Sequence, residues 1–336
     1  MRLKRARNGA FFFMIKLSQI GYSEFFMPPE ADEFLDQVKQ EFSQSLLVND
    51  NSLSEWLKHH GESEGKWIRA RLALASGALL GLDSQTYIKW AVVCELIHSA
   101  SLLHDDICDE DLLRRGRRTV WKKFGIPAAI CSGDYLIAES FRKITEIEQG
   151  WHQTILLKLL STSVKEIVFG QSTDVSVNPF SLSWNEYKKI AYEKTSPLIS
   201  MPVMGMFQCK EIKGDECDAL IEISNELGLA YQWLNDIENI IGLEQEKFSD
   251  LFNGHPNAVI VHHLSKQPNN NIKTFKGIKK LENLINSVDL NDDFNEIKNI
   301  LNVVEEKVHR IPVIIQPILI ALKQNIEKRL KKNEKN

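Results

Sequence analysis

The residues best suited to chemistry stand together in Leu102-Leu103-His104-Asp105-Asp106-Ile107-Cys108-Asp109. This segment closes a long apolar run, residues 87–103, that carries Lys89, Glu95 and His98. In a helix, Asp105 and Asp109 are four residues apart and share a face, with Asp106 beside them. Three carboxylates leaving an apolar wall repel one another strongly unless a cation neutralises them. Hard divalent cations take such oxygen ligands, and Mg²⁺ is typically held by one or two carboxylates together with substrate phosphates. A solvated acidic helix end is the plainer alternative, and the apolar run before the aspartates argues against it. A basic cluster follows directly, Arg114-Arg115-Gly116-Arg117-Arg118-Thr119. Carboxylates that hold a divalent cation, next to arginines that clamp phosphate oxygens, are what a diphosphate group requires. Salt bridges within a helix to Glu110 and Asp111 are the competing use of these arginines.

The elements that must position these groups are helices. Phe34, Leu35, Val38, Phe42 and Leu46 fall on one helical face, as do Leu156, Leu160, Val164 and Ile167. A third stripe runs through Leu220, Ile223, Leu227, Leu234, Ile237 and Ile241. Turn signals separate them at Gly61, Gly125-Ile126-Pro127, Asn178-Pro179, Gly254-His255-Pro256 and residues 268–271. No alternating strands and no βαβ pattern occur, so the expected class is all-α. Residues 311–330 read as a closing helix with a basic, frayed end.

The 336 residues are 43% apolar with a formal net charge of −4, which suits a packed core and not a nucleic-acid binder. Five cysteines, an odd number with no CxxC pair, argue against a disulfide framework or a zinc site and for a reducing cytoplasm. The run at 87–103 is too charged and too close to the acidic segment to be an integral membrane segment. Residues 1–25 combine arginines and lysines with a short apolar stretch, and are expected to form a poorly ordered tail before a single domain at 26–336. The pairs His59-His60 and His262-His263 point apart on a helix and read as surface or loop residues.

With these residues in view, the stretch from Glu95 to Gly116 resembles the first aspartate-rich region of the trans-prenyl diphosphate synthase family. The other family blocks follow in order. Gly65-Lys66-Trp67-Ile68-Arg69 resembles the early block, Phe169-Gly170-Gln171 and Lys194-Thr195 the middle blocks, and Gln232 to Asn239 with Asp250-Leu251 and Gly254 the second aspartate region. The resemblance implies a single-domain helical bundle of the isoprenoid synthase type around a central cavity, assembled as a homodimer. It implies that an allylic diphosphate is ionised and joined to isopentenyl diphosphate with two or three Mg²⁺ ions. By position, Asp105, Asp106, Asp109, Asn235 and Asp236 would hold metal. Asp105, Asp106, Lys194, Gln232 and Asp236 would be catalytic. Arg114, Lys194 and Gln232 would hold the allylic diphosphate. Lys66, Arg69, His98 and Arg115 would hold the diphosphate of isopentenyl diphosphate, with Gln171 and Thr195 also binding substrate.

The second motif departs from the family pattern. Asn235 and Asn239 stand where aspartates are expected, His255 replaces a lysine and Trp67 an arginine, so a third magnesium site is expected to be weak. Gln232, Asn235 and Asn239 share one helical face, whereas the phase of Glu238 takes it off that face. Lys247 is placed to reach a phosphate. A specialised prenyltransferase or terpene-cyclase-like enzyme with another acceptor, or a non-catalytic partner subunit of a heteromeric synthase, are the alternatives. The resemblance also makes Ser101 and Ala100, with Ile97 a turn below, the floor under the prenyl chain. These small residues predict a geranylgeranyl-sized or longer product.

Overall fold

The computed structural model describes residues 27–49, 52–63, 65–242, 255–266 and 288–335. The expected N-terminal tail, Lys247, Asp250, Leu251, Gly254 and the turn at 268–271 lie outside the described residues. Within them, all regular elements except one hairpin are helical. Helices α1 (Pro29–Asp32), α2 (Leu35–Ser45), α3 (Ser52–Gly61) and α4 (Ile68–Leu79) lead to α5 (Ser84–Cys108). A hairpin of β1 (Leu113–Arg114) and β2 (Arg117–Arg118) follows, then α6 (Val120–Phe124), α7 (Ile126–Ile144) and α8 (Gly150–Ser176). The rest comprises α9 (Trp184–Thr195), α10 (Pro197–Cys209), α11 (Asp215–Ile241), α12 (Ala258–Ser265), α13 (Leu290–Lys307) and α14 (Gln316–Asn333).

α5 is the axis of the first core. Asp83 caps it by accepting from the Thr86 N–H, and its 25 residues span about 37 Å. Ile88, Trp90, Val92, Val93, Leu96 and Leu103 are fully buried, so the helix is apolar on almost every side and needs neighbours all round. α4 and α7 pack along it, with α2 and α10 beside them. Close approach of α10 depends on Gly205, where a Cβ would strike the Trp90 indole. The Trp90 Nε1–H is satisfied by the Pro202 carbonyl at 3.1 Å. A second core forms around α11, whose Ile223, Leu227, Leu234 and Ile237 meet Ile297 and Leu301 of α13 and Leu319 and Leu322 of α14.

Three expectations change. The closing helix starts at Gln316, not Ile311, because Pro312 and Pro317 lack the N–H that a helix interior needs and Pro317 fits only the first turn. Its basic end is not frayed but helical through Asn333. His262 is not at the surface: it is 6% exposed, with Nδ1 at 2.9 Å from Asp293.

A polar network fastens α2, α5 and α7. Lys89 Nζ lies 2.6 Å from Glu41 and 2.9 Å from Glu146, and Arg142 lies 2.7 Å from Glu146. Burial alone would raise the Glu146 carboxyl, but the Lys89 hydrogen bond and the charges of Lys143 and Arg142 outweigh it and hold it at about 2, against an ordinary 4.5. A carboxyl depressed by folding stabilises the native state above its unfolded pKa and stops doing so as pH falls through its folded pKa. The melting temperature is therefore expected to fall between pH 4.5 and about 2, and Glu146→Gln to flatten that part of the melting-temperature profile.

Candidate active site

The acidic segment stands where α5 ends. Asp105 and Asp106 lie in its last turn, and Asp109 is the C-cap, its N–H bonded to the Asp105 carbonyl at 2.8 Å. The C-terminal end of a helix carries partial negative charge, so carboxylates there need cations. Asp106, 2% exposed, turns into the protein and pairs with Arg114, which also bonds Asp111 at 3.1 Å. Burial pushes the Asp106 carboxyl up to about 6, against the pull of Arg114. Asp105 and Asp109 face a cleft of about 1020 Å³. Lys194, at the end of α9, reaches Asp174 of α8 at 2.8 Å. Burial disfavours its charge, but Asp105, Asp109 and Asp174 outweigh that and hold the ammonium protonated.

One ligand atom from each of Asp109, Asp174 and His255 comes within 4.8 Å of the others, and Asp105 lies one turn before Asp109. This donor set, mostly hard carboxylate oxygens, fits a divalent cation.

The adjoining wall is basic. Arg115 and Gly116 have φ of 52° and 77°, the left-handed pair that a two-residue type I′ hairpin turn demands. The arginine cluster is therefore a hairpin and not a helix, although Arg114 does pair with Asp111 as the competing reading had it. Arg115 bonds the Ser63 carbonyl at 2.8 Å, and a Cβ at Gly65 would come within 3.0 Å of its guanidinium. This contact presses the hairpin against the segment carrying Lys66 and Arg69, and all three cations line the cleft. Glu95 of α5, 6% exposed, caps the first turn of α4 by accepting from the Ala70 N–H at 2.9 Å. Trp67, at the N-cap position with φ 55°, has no side chain that can do this. Burial, then the charges of Arg69 and Arg115, push the His98 imidazole well below its ordinary value, so it is neutral at pH 7. Among the described residues, the buried His98 Nδ1 and Arg69 Nε find no hydrogen-bond partner, as suits a wall that receives an anion.

The opposite wall is α11. Asp236, 2% exposed, accepts from Tyr187 Oη at 2.7 Å, the Ala258 N–H at 2.6 Å and Gln232 Nε2 at 3.1 Å, so it joins α9, α11 and α12. Asn235 Oδ1 accepts from Arg329 Nη2 at 2.9 Å. Arg329 also donates to Glu238 at 2.6 and 3.3 Å, and Asn333 Nδ2 donates to Glu238 at 2.9 Å. Glu238 thus lines the cleft with Asn235, three residues before it, contrary to the phase argument. Asn239, 1% exposed, lies behind the wall.

Against this geometry, a family model described as Polyprenyl synthetase matches residues 50–292. The chain belongs to the polyprenyl synthetase family. It is 32% identical over 243 residues to a geranylgeranyl diphosphate synthase of Saccharolobus solfataricus, covering 70% of this chain and 73% of that one. It is 32% identical to a short chain isoprenyl diphosphate synthase of Methanocaldococcus jannaschii, covering 68% and 71%. The fold is similar to a decaprenyl diphosphate synthase from Rhodobacter capsulatus, with a TM-score of 0.77, 20% identity and coverage of 90% and 97%. It is also similar to a polyprenyl synthase from Caulobacter crescentus complexed with calcium and isoprenyl diphosphate, with a TM-score of 0.76, 19% identity and coverage of 89% and 96%.

The protein is thus a prenyltransferase of the isoprenoid synthase fold. Of the residues that resemblance assigns, Lys66, Arg69, His98, Asp105, Asp109, Arg114, Arg115, Gln171, Lys194, Thr195, Gln232, Asn235 and Asp236 all border one cleft. Asp106 sits behind that surface, paired with Arg114. Ser101 borders the cleft, while Ala100 and Ile97 are buried in the core around α5. Asp174, Tyr187 and Arg329 were not singled out by the sequence. Asp174, three residues after Gln171 on one helix, carried a local signal; Tyr187 and Arg329 carried none.

Tyr187→Phe leaves Asp236 buried with one donor fewer. It is expected to cost about 1.5–3 kcal/mol in a denaturant titration, the range for losing one hydrogen bond to a charged group, because the Ala258 N–H still serves the same oxygen.

Proposed function

We propose that this polyprenyl synthetase condenses an allylic diphosphate with isopentenyl diphosphate, and that Mg²⁺ is its metal. The observation that carries this reading is the presence of two separate sets of cations on one cleft. Lys194 and Arg114 stand by the α5 carboxylates, Arg69 and Arg115 stand by neutral His98, and Lys66 lines the same cleft. Two sets suit two diphosphates, whereas an enzyme that only ionises and cyclises one substrate needs one.

Magnesium on Asp105 and Asp109 would neutralise the departing diphosphate, the main electrostatic task of the reaction. Lys194 and Arg114 hold the allylic diphosphate in place, and Arg69, Arg115 and Lys66 hold that of the acceptor so that its double bond faces the allylic carbon. Leu102, Ile167 and Leu198, with Trp67 and Phe42, line the apolar part of the cleft and keep water from a carbocation. We take residues 26–336 as one catalytic domain acting in the cytoplasm, a reading supported by five cysteines that are all free. A homodimer is supported by the adjacent helices α7 and α8, which expose Ile126 and Ile130, and Val168 and Phe169. Ser101 on the cleft wall supports a product of geranylgeranyl length or longer.

The test is incubation with Mg²⁺, labelled isopentenyl diphosphate and dimethylallyl, geranyl or farnesyl diphosphate, with products separated by length. A ladder reaching geranylgeranyl or beyond is expected. Asp105→Asn is expected to lower the rate about 10²–10³-fold, as for loss of one major electrostatic contact. Ser101→Phe is expected to shorten the products. Pyrophosphate release from the allylic substrate without incorporation would overturn the condensation reading.

A further inference from the structure

The two walls of the cleft differ in what they offer a metal. The α5 wall presents Asp105 and Asp109, with Asp174 and His255 close by. The α11 wall does not fit one. Asn235 and Asn239 contribute amide oxygens and no charge. The Asn235 oxygen accepts from Arg329, and Asn239 is buried behind the wall. Both oxygens of Asp236 are engaged by Tyr187, Ala258 and Gln232. Among the described residues, the one further carboxylate on this wall, Glu238, has both oxygens bonded to Arg329, with Asn333 sharing one.

We infer that the guanidinium of Arg329 does on the α11 wall what a divalent cation would otherwise do, so that metal is bound on the α5 wall alone. The guanidinium is held from three sides. Nε and Nη2 bond Glu238, Nη2 also bonds Asn235, and the Tyr231 ring centre lies 5.0 Å away. Nη1 has no hydrogen-bond partner among the described residues, and Arg329 borders the cleft with Lys332 of the same helix. A cation fixed in this way can offer the two N–H groups of Nη1 to phosphate oxygens without paying the dehydration cost of Mg²⁺. Asparagine at position 235 follows from the same arrangement. Its amide oxygen accepts from Arg329 as an aspartate would, but leaves the guanidinium more positive charge for a ligand. Arg329 is therefore a substrate-binding residue that the second acidic motif has been adapted to hold.

The inference rests on the reading of the cleft as a diphosphate site, but its test needs no turnover. Inorganic pyrophosphate is the probe, with Mn²⁺ counted by electron paramagnetic resonance and affinity measured by calorimetry on the full chain. Arg329→Gln is expected to weaken pyrophosphate about 10- to 100-fold, the loss of one charge-assisted hydrogen-bonded contact, with the same number of Mn²⁺ ions per chain. Arg329→Lys is expected to restore part of that affinity. The double variant Asn235→Asp, Arg329→Gln is expected to bind an additional Mn²⁺ ion when pyrophosphate is present. Unchanged affinity in Arg329→Gln, or a wild-type Mn²⁺ count already equal to that of the double variant, overturns the inference. Where a glutamine variant fails to fold, Arg329→Lys is read directly against the wild type: weaker pyrophosphate at the same Mn²⁺ count is expected, and unchanged affinity overturns the inference. Pyrophosphate binding without prenyl transfer in the separate assay would instead defeat the condensation reading and leave this one standing.

Discussion

Asp105, Asp106 and Asp109 crowd the negative end of a helix that is buried along almost its whole length. Neither feature is favourable alone. The helix dipole opposes the carboxylates, and the apolar surroundings remove the water that would screen them. Asp174 adds a further charge from α8. Among the described residues this excess is met by Arg114 and Lys194, and the aspartates outnumber them. What surrounds the end of α5 follows from that imbalance. The hairpin turns sharply at Arg115–Gly116 to bring Arg114 back onto Asp106, and α9 ends where Lys194 can reach the cluster. The remaining negative charge is what a divalent cation and its diphosphate would complete.

The same constraint explains the division of labour between walls. On the proposed reading, cations fixed by the hairpin and by the start of α4 would make one anion site, while the α5 carboxylates and Lys194 would make another that metal completes. On α11 the acids serve architecture: Asp236 ties three helices together, and Glu238 anchors the last helix through Arg329 and Asn333. Asp236 resembles a metal ligand in sequence, and we infer from its hydrogen bonds that it serves packing instead.

What was legible in the sequence was local. The stripe of Leu220, Ile223, Leu227, Leu234 and Ile237 is the buried face of α11, and Asp105 to Asp109 is the end of α5, because helical period and four-residue spacing are properties of short segments. Most residues named by resemblance border the cleft for the same reason: their blocks sit on elements the periodicity located. The failures came from contacts distant in sequence. Arg329 meets Asn235 across 94 residues, and nothing in a basic helix end announces such a partner. His262 read as a surface residue because the Asp293 that buries it belongs to another helix. Helical phase sets the Glu238 Cα off that face, but its long side chain, three residues from Asn235, reaches the same wall. Pro317 is itself the sequence mark of where the closing helix begins, since it fits only the first turn.

The most direct test of the central claim is a thermal melt of the wild type and of an Asp105→Asn, Asp109→Asn double variant. Each is measured in metal-free buffer and again with Mg²⁺ and inorganic pyrophosphate. Relief of repulsion makes the variant melt at least as high as the wild type without metal, and loss of the ligands leaves it with no gain when metal and pyrophosphate are added, whereas the wild type rises. A variant that melts lower in metal-free buffer, or that gains as much as the wild type from metal and pyrophosphate, would contradict the account.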